Sequence, residues 1–187
     1  MNEQLQQYVA SKENVRVERR FASDPRLNGF LVAVSPELAV MHCFHDFMPD
    51  GFSVIRLEDV VNVRSGKYER HWKRMLQQEG LLSALEAIPV VDLSSMRSAI
   101  DSIASQYKGL IIECEDDEGD DIDFYIGAVL SSSDSQISIH AFDALGVWDS
   151  QPSEVPVEEI SLVQFDTPYL NTFWKYLAGP RTNHDLP

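Results

Sequence analysis

The segment His42-Cys43-Phe44-His45-Asp46 is the strongest candidate for chemistry in the chain. Alternation along a strand puts Cys43 and His45 on one face and His42 and Asp46 on the other. At most two ligands then point the same way, whereas a structural zinc site takes four. His42, Cys43, His45 and Asp46 are therefore weak metal candidates, and no metal site, catalytic residue or cofactor is assigned. The expected role is a strand with one face buried. Cys43 as a nucleophile would need a neighbour that stabilises its thiolate, and sequence alone supplies none.

The second candidate is acidic. Glu113 to Asp123 carries eight carboxylates in eleven residues. A calcium loop of the EF-hand type needs glycine at its sixth position. Taking Gly119 as that glycine puts Cys114 first, where a carboxylate belongs, so the motif fails. A solvated hairpin loop is the expectation. The third candidate is basic: Arg64, Lys67, Arg70, Lys73 and Arg74 surround the start of a helix. Lys67, Arg70 and Arg74 share one helical face, where they could meet phosphates or simply face water. No glycine-rich phosphate loop, Gly-x-Ser-x-Gly elbow or paired-histidine zinc motif occurs.

The elements that would position these residues occur twice. Leu57-Glu58-Asp59-Val60-Val61-Asn62-Val63 aligns with Val157-Glu158-Glu159-Ile160-Ser161-Leu162-Val163. After a one-residue insertion, Tyr68 to Leu76 aligns with Tyr169 to Leu177. Met41-His42-Cys43-Phe44 aligns with Ile139-His140-Ala141-Phe142, and Gly51-Phe52 with Gly146-Val147. Each copy opens with a helix, marked by Leu5, Tyr8 and Val9 or by Met96, Ile100, Ile103 and Tyr107. Five short strands follow, and a helix closes each copy. Tyr68, Trp72, Met75 and Leu76, or Tyr169, Phe173, Tyr176 and Leu177, form its expected apolar face. Thr167-Pro168 reads as N-cap and first helical residue. The spacing predicts an α+β chain of two tandem copies of a helix, a five-stranded small β-barrel and a C-terminal helix. The repeats span 1–80 and 94–180, joined by an apolar packed connector at 81–93 and followed by a tail at 181–187.

The runs Gly29 to Val34, Leu38 to Phe44 and Gly51 to Ile55 leading to Glu58-Asp59-Val60, and their counterparts in the second copy, resemble the Sm-like fold and more loosely SH3-like small barrels. In Sm proteins an Asp/Asn-bearing loop and an Arg-Gly loop bind RNA. The corresponding positions here read Ser35-Pro36-Glu37-Leu38 and Ile55-Arg56-Leu57-Glu58. The resemblance thus implies fold, and specific RNA binding is not expected.

Charge separates the copies. Residues 1–93 hold 11 Lys/Arg and 13 Asp/Glu, a net of -2, while residues 94–187 hold 4 and 17, a net of -13. The two hairpin regions have opposite signs: Arg19, Arg20 and Arg26 around Asp24 in the first copy, and the run Glu113 to Asp123 in the second. This suggests that the acidic loop, with Asp116, Asp117, Asp120 and Asp121, lies near basic residues of the first copy, including the helix stripe Arg64, Lys67, Arg70 and Arg74, within a chain or between chains. No apolar run approaches the ~20 residues that span a bilayer, and Met1 to Ala10 lacks signal-peptide order. The two cysteines suggest no disulfide framework. The expectation is a cytoplasmic, non-enzymatic protein-interaction or assembly module, whose partner is an unknown protein or a second copy. The alternatives are a nucleic-acid binder using the basic face of the first copy, and an enzyme of unknown class.

Overall fold

Val15 and Val17 alternate with Arg16 and Glu18, and the valines are fully buried. This pattern starts the first strand of a computed structural model that describes residues 2–21, 26–86, 88–115 and 122–177. The first half runs α1 (Asn2–Ser11), β1 (Asn14–Arg19), β2 (Arg26–Val34), β3 (Leu38–His45) and β4 (Met48–Arg56). A 3-10 turn at Leu57–Asp59, β5 (Val60–Arg64) and α2 (Lys67–Gln78) complete it. The second half repeats the order. It has α3 (Met96–Ala104), β6 (Leu110–Glu115), β7 (Ile122–Ser132), β8 (Gln136–Ala141) and β9 (Ser153–Pro156). A 3-10 turn at Val157–Glu159, β10 (Leu162–Phe165) and α4 (Pro168–Tyr176) follow.

The strands do not make two tandem barrels. All ten join in one open antiparallel sheet, ordered β5-β1-β2-β3-β4-β10-β6-β7-β8-β9. Each half supplies five contiguous strands in the same relative order. The expected closure of each half on itself is replaced by a junction, in which Leu162 pairs with Ile55, Val163 with Val54, Gln164 with Ser53 and Phe165 with Phe52. The physical reason lies in these two strands. Both carry buried apolar residues on both faces. Left as sheet edges, they would expose backbone donors and acceptors flanked by apolar side chains. Pairing them with each other satisfies both.

Side-chain parity shows how the sheet turns. Val54, Val163 and Ile112 join α3's Met96, Ile100 and Ile103 in one core. Ile55 and Leu162 point the opposite way, into a core with Leu5, Val15, Val17 and Met41. The inner face of the first half therefore continues as the outer face of the second. β3 is buried on both faces: Leu38 and Val40 enter one core, Ala39, Met41 and Cys43 the other. This explains its nearly unbroken apolar sequence, and it replaces the expected one-face burial.

Matched positions can be read from the register. Gly29 pairs with Val15 and Cys43, and Gly127 with Leu110 and Ala141. A Cβ at either glycine would sit 2.0 Å from a carbonyl oxygen, that of His42 or of His140. Val15 thus matches Leu110, and Glu13 matches Lys108 two residues earlier. The alignment of Gly51-Phe52 with Gly146-Val147 does not survive, because Gly146 lies in the loop before β9. The closing helices also differ from expectation. Tyr68, Tyr169 and Tyr176 are exposed, and the matched pair Glu69 and Leu170 is buried instead. Within the connector, Leu81, Leu82, Val91 and Leu93 pack on the cores, while Ile88 and Val90 are exposed. No helix among the described residues is long and apolar enough to cross a membrane.

Candidate functional site

The sequence-level metal candidates are not brought together. His42 is buried, stacked on Phe52 with ring centroids 4.3 Å apart, and its Nδ1 has no hydrogen-bond partner. Cys43 points to the opposite core, its thiol 3.3 Å from Ser53 Oγ. Burial pushes that thiol up to about 11. His45 and Asp46 are exposed at the β3–β4 turn, 3.6 Å apart. No group of three or more potential metal ligands occurs among the described residues.

The charge candidates divide. Lys67, Arg70 and Arg74 are exposed on α2. Arg64 pairs with Glu69 at 3.1 Å, and Arg70 donates to Ser65 O. Asp116, Asp117, Asp120 and Asp121 lie outside the described residues. Glu115 of the same acidic run meets the first half at Arg19 of β1, one of the basic hairpin residues, and not at the α2 stripe. It forms a two-armed ion pair with Arg19, both side chains almost fully buried. Ser161 Oγ donates to Glu115 Oε2 at 2.8 Å. Beside this pair is a charged cleft of about 310 Å³ that includes Arg20, Arg56, Asp59, Cys114 and Glu159. Arg20 Nε donates to Asp59 Oδ1 at 2.8 Å. Burial, and next the Glu159 charge, push the Cys114 thiol up to about 12. Arg56 of this cleft crosses between the halves, donating to Val157 O at 2.6 Å.

A different cleft has the features of a binding site. It lies between α4 and the turn after α3, and has a volume of about 610 Å³, within the usual range for ligand pockets. Two local features place α4 there. Thr167 Oγ1 accepts from Leu170 N at 3.0 Å, capping the helix ahead of Pro168, and Leu170 is buried beneath it. Gly109 then lets the helix approach. A Cβ at Gly109 would lie 2.4 Å from the Trp174 ring, so only glycine admits the indole at this spot. Trp174 also contacts Trp148 edge-on, with centroids 5.8 Å apart. Tyr107 forms another wall, held 5.1 Å from the Phe165 ring. Burial first, and the Asp166 charge second, raise the Tyr107 phenol above its ordinary value. Asn171 Nδ2 donates to Asp166 Oδ1 at 2.8 Å. Lys108 and Lys175 also line the cleft. Both are exposed, and neither side chain makes an ion pair or hydrogen bond among the described residues.

The matched residues of the first half pair with each other. There Lys73 stands in place of Trp174 and Glu13 in place of Lys108. Lys73 Nζ reaches Ser11 O at 3.2 Å and Glu13 Oε1 at 3.8 Å. At these matched positions the first half forms an ion pair, while in the second half Lys108 and Trp174 line a cleft. Motif reading missed this site, because Gly109 looks like a helix stop and Trp174 like one more apolar residue. The usable signal was the pairing of charged with apolar residues at matched positions of the closing helices, Glu69 with Leu170 and Lys73 with Trp174. Comparison with protein-family models, curated proteins and solved structures gave no match.

Proposed function

We propose that the chain is a non-catalytic binding module that holds a segment of a partner protein in the cleft beside Trp174. The observation that carries this reading is the contrast between matched positions. The residues matching the Glu13–Lys73 ion pair of the first half are Lys108 and Trp174, and both line the cleft. A half-buried indole beside polar groups suits protein recognition, since tryptophan supplies large contact area at little entropic cost. Cysteine chemistry draws no support from either thiol. Cys43 at about 11 and Cys114 at about 12 hold negligible thiolate at neutral pH.

The test transplants the first-half ion pair. Lys108→Glu with Trp174→Lys recreates the Glu13–Lys73 pair in the second half. A random peptide library panned on the full chain, with this variant as counter-selection, should yield sequences that bind only the original protein. Lys108→Glu alone changes an exposed side chain and guards against a folding defect in the double variant. If a folded variant retains every selected sequence, the cleft is not the binding site.

A further inference from the structure

We infer that the bound segment carries a carboxylate beside an aromatic or other large apolar residue. This rests on the cleft reading above and names the chemistry of its occupant. Residues 94–187 hold 17 acidic residues and only 4 Lys/Arg, namely Arg97, Lys108, Lys175 and Arg181. Arg181 lies outside the described residues. Arg97 is committed, with Asp134 Oδ1 at 2.7 Å and Asp101 Oδ2 at 3.4 Å. The two remaining cations, Lys108 and Lys175, both line the cleft beside Trp174.

In so acidic a half, a lysine has many carboxylates to pair with, yet neither of these two is paired among the described residues. The matched residue of Lys108 is an acid, Glu13, which neutralises Lys73. At the matched positions the second half thus has a base where the first has an acid, and an indole where the first has a lysine. Asp166 is the acidic group of the cleft lining, and it accepts from Asn171. Two lysines against one aspartate leave a single positive charge facing the opening.

A single carboxylate matches that charge. A polyanion would also face the net charge of -13 on this half, which repels it over a Debye length of about 8 Å at physiological salt. The apolar neighbour of the carboxylate would lie between Trp174 and Tyr107. Exposed cations would then select among ligands by charge, with the rings supplying most of the contact.

Three capped peptides test this on the full-length protein: Gly-Phe-Asp-Gly, Gly-Phe-Asn-Gly and Gly-Phe-Lys-Gly. Binding is read from the Trp174 indole N–H resonance, assigned with Trp174→Phe. The Asp peptide should bind at least tenfold more tightly than the Asn peptide, and the Lys peptide should bind most weakly. Lys108→Gln with Lys175→Gln, both exposed positions, should abolish the preference while leaving the spectrum of the core unchanged. Equal binding of Asp and Asn peptides, or a preference that survives the lysine changes, overturns the inference. So does a resonance that responds to adenosine monophosphate and to none of the peptides. Library ligands that bind the cleft without a carboxylate would overturn only this inference. Ligands indifferent to the transplanted ion pair would overturn the cleft reading itself.

Discussion

Glu13 with Lys73, and Lys108 with Trp174, occupy matched places in the two halves, yet Lys73 is held by polar contacts and Trp174 by rings. In the first half the contact is polar: Lys73 bonds to a carbonyl and approaches a carboxylate. The same half buries Glu69, whose Oε2 accepts from Gly66 N at 2.8 Å and whose Oε1 accepts from Arg64 at 3.1 Å. In the second half Leu170 takes the place of Glu69, and rings take over from ions, with Phe142, Trp148, Phe173 and Trp174 in one cluster. One scaffold therefore tolerates two kinds of helix docking, because the sheet beneath sets the geometry. Docking by rings has a cleft of about 610 Å³ beside it.

The most severe way to break the contrast is to attack what the halves share. Phe165 is fully buried at the junction, stacked 5.3 Å from Phe52. Phe165→Ala should cost about 3–5 kcal/mol. Urea unfolding followed by circular dichroism and by tryptophan fluorescence should give coincident transitions, as expected of one cooperative unit. Two separated transitions would mean that each half is stable by itself.

The matched pair Leu170 and Glu69 sharpens the contrast. Leu170→Ala should cost about 2–5 kcal/mol through a cavity under α4. Glu69→Ala should cost about 1–3 kcal/mol by orphaning the Gly66 N–H and the Arg64 guanidinium. The same urea curves measure both, and equal losses in high salt and low salt for Glu69→Ala would deny it an ionic role.

His42 and His140 form a third matched pair. His140 Nε2 lies 2.9 Å from Asp149 O, whereas His42 sits among rings with Nδ1 unpartnered. Burial lowers the His42 pKa, and the Asp166 charge partly offsets this. The unfolded chain takes up this proton near pH 6.5, the folded chain only at lower pH. Its contribution to stability is therefore fullest above pH 6.5 and declines as pH falls towards the folded-state value, by at most about 1.4 kcal/mol per pH unit. His42→Phe should flatten the stability profile between pH 6.5 and 5. An unchanged slope would assign the acid sensitivity elsewhere.

The smallest effect belongs to the ion pair itself. Lys73→Ala should cost no more than about 1 kcal/mol, since the pair is partly solvated. A larger loss would make the first-half contact as important to stability as the aromatic one.

Much of this arrangement was legible beforehand, where local chemistry determines it. The Thr167-Pro168 helix start, the apolar stripe of α3 and the repeated Glu-rich turns at Leu57 and Val157 follow from residue type and spacing. Pairing of β4 with β10 did not, because strand periodicity says which residues share a face and nothing about which edge they meet. Small barrels were the natural expectation for five short strands; the apolar edges of Phe52–Ile55 and Leu162–Phe165 meet each other instead. Burial of Glu69 was hidden because its partners, Gly66 N–H and Arg64, become adjacent only once the chain turns into α2. The cleft was visible only as a difference between copies, since neither Gly109 nor Trp174 is unusual alone.

The junction has a consequence for synthesis on the ribosome. The β4 edge at Phe52–Ile55 finds its partner only when Leu162–Phe165 emerges. That is roughly 110 residues later, or about 5–20 s at ordinary elongation rates of about 5–20 residues per second. For that interval a nascent first half presents an apolar strand edge with no partner, a template for pairing with neighbouring chains. A chaperone that shields strand edges would act during this window, and slowing translation of α3 and β6 would prolong the need for it.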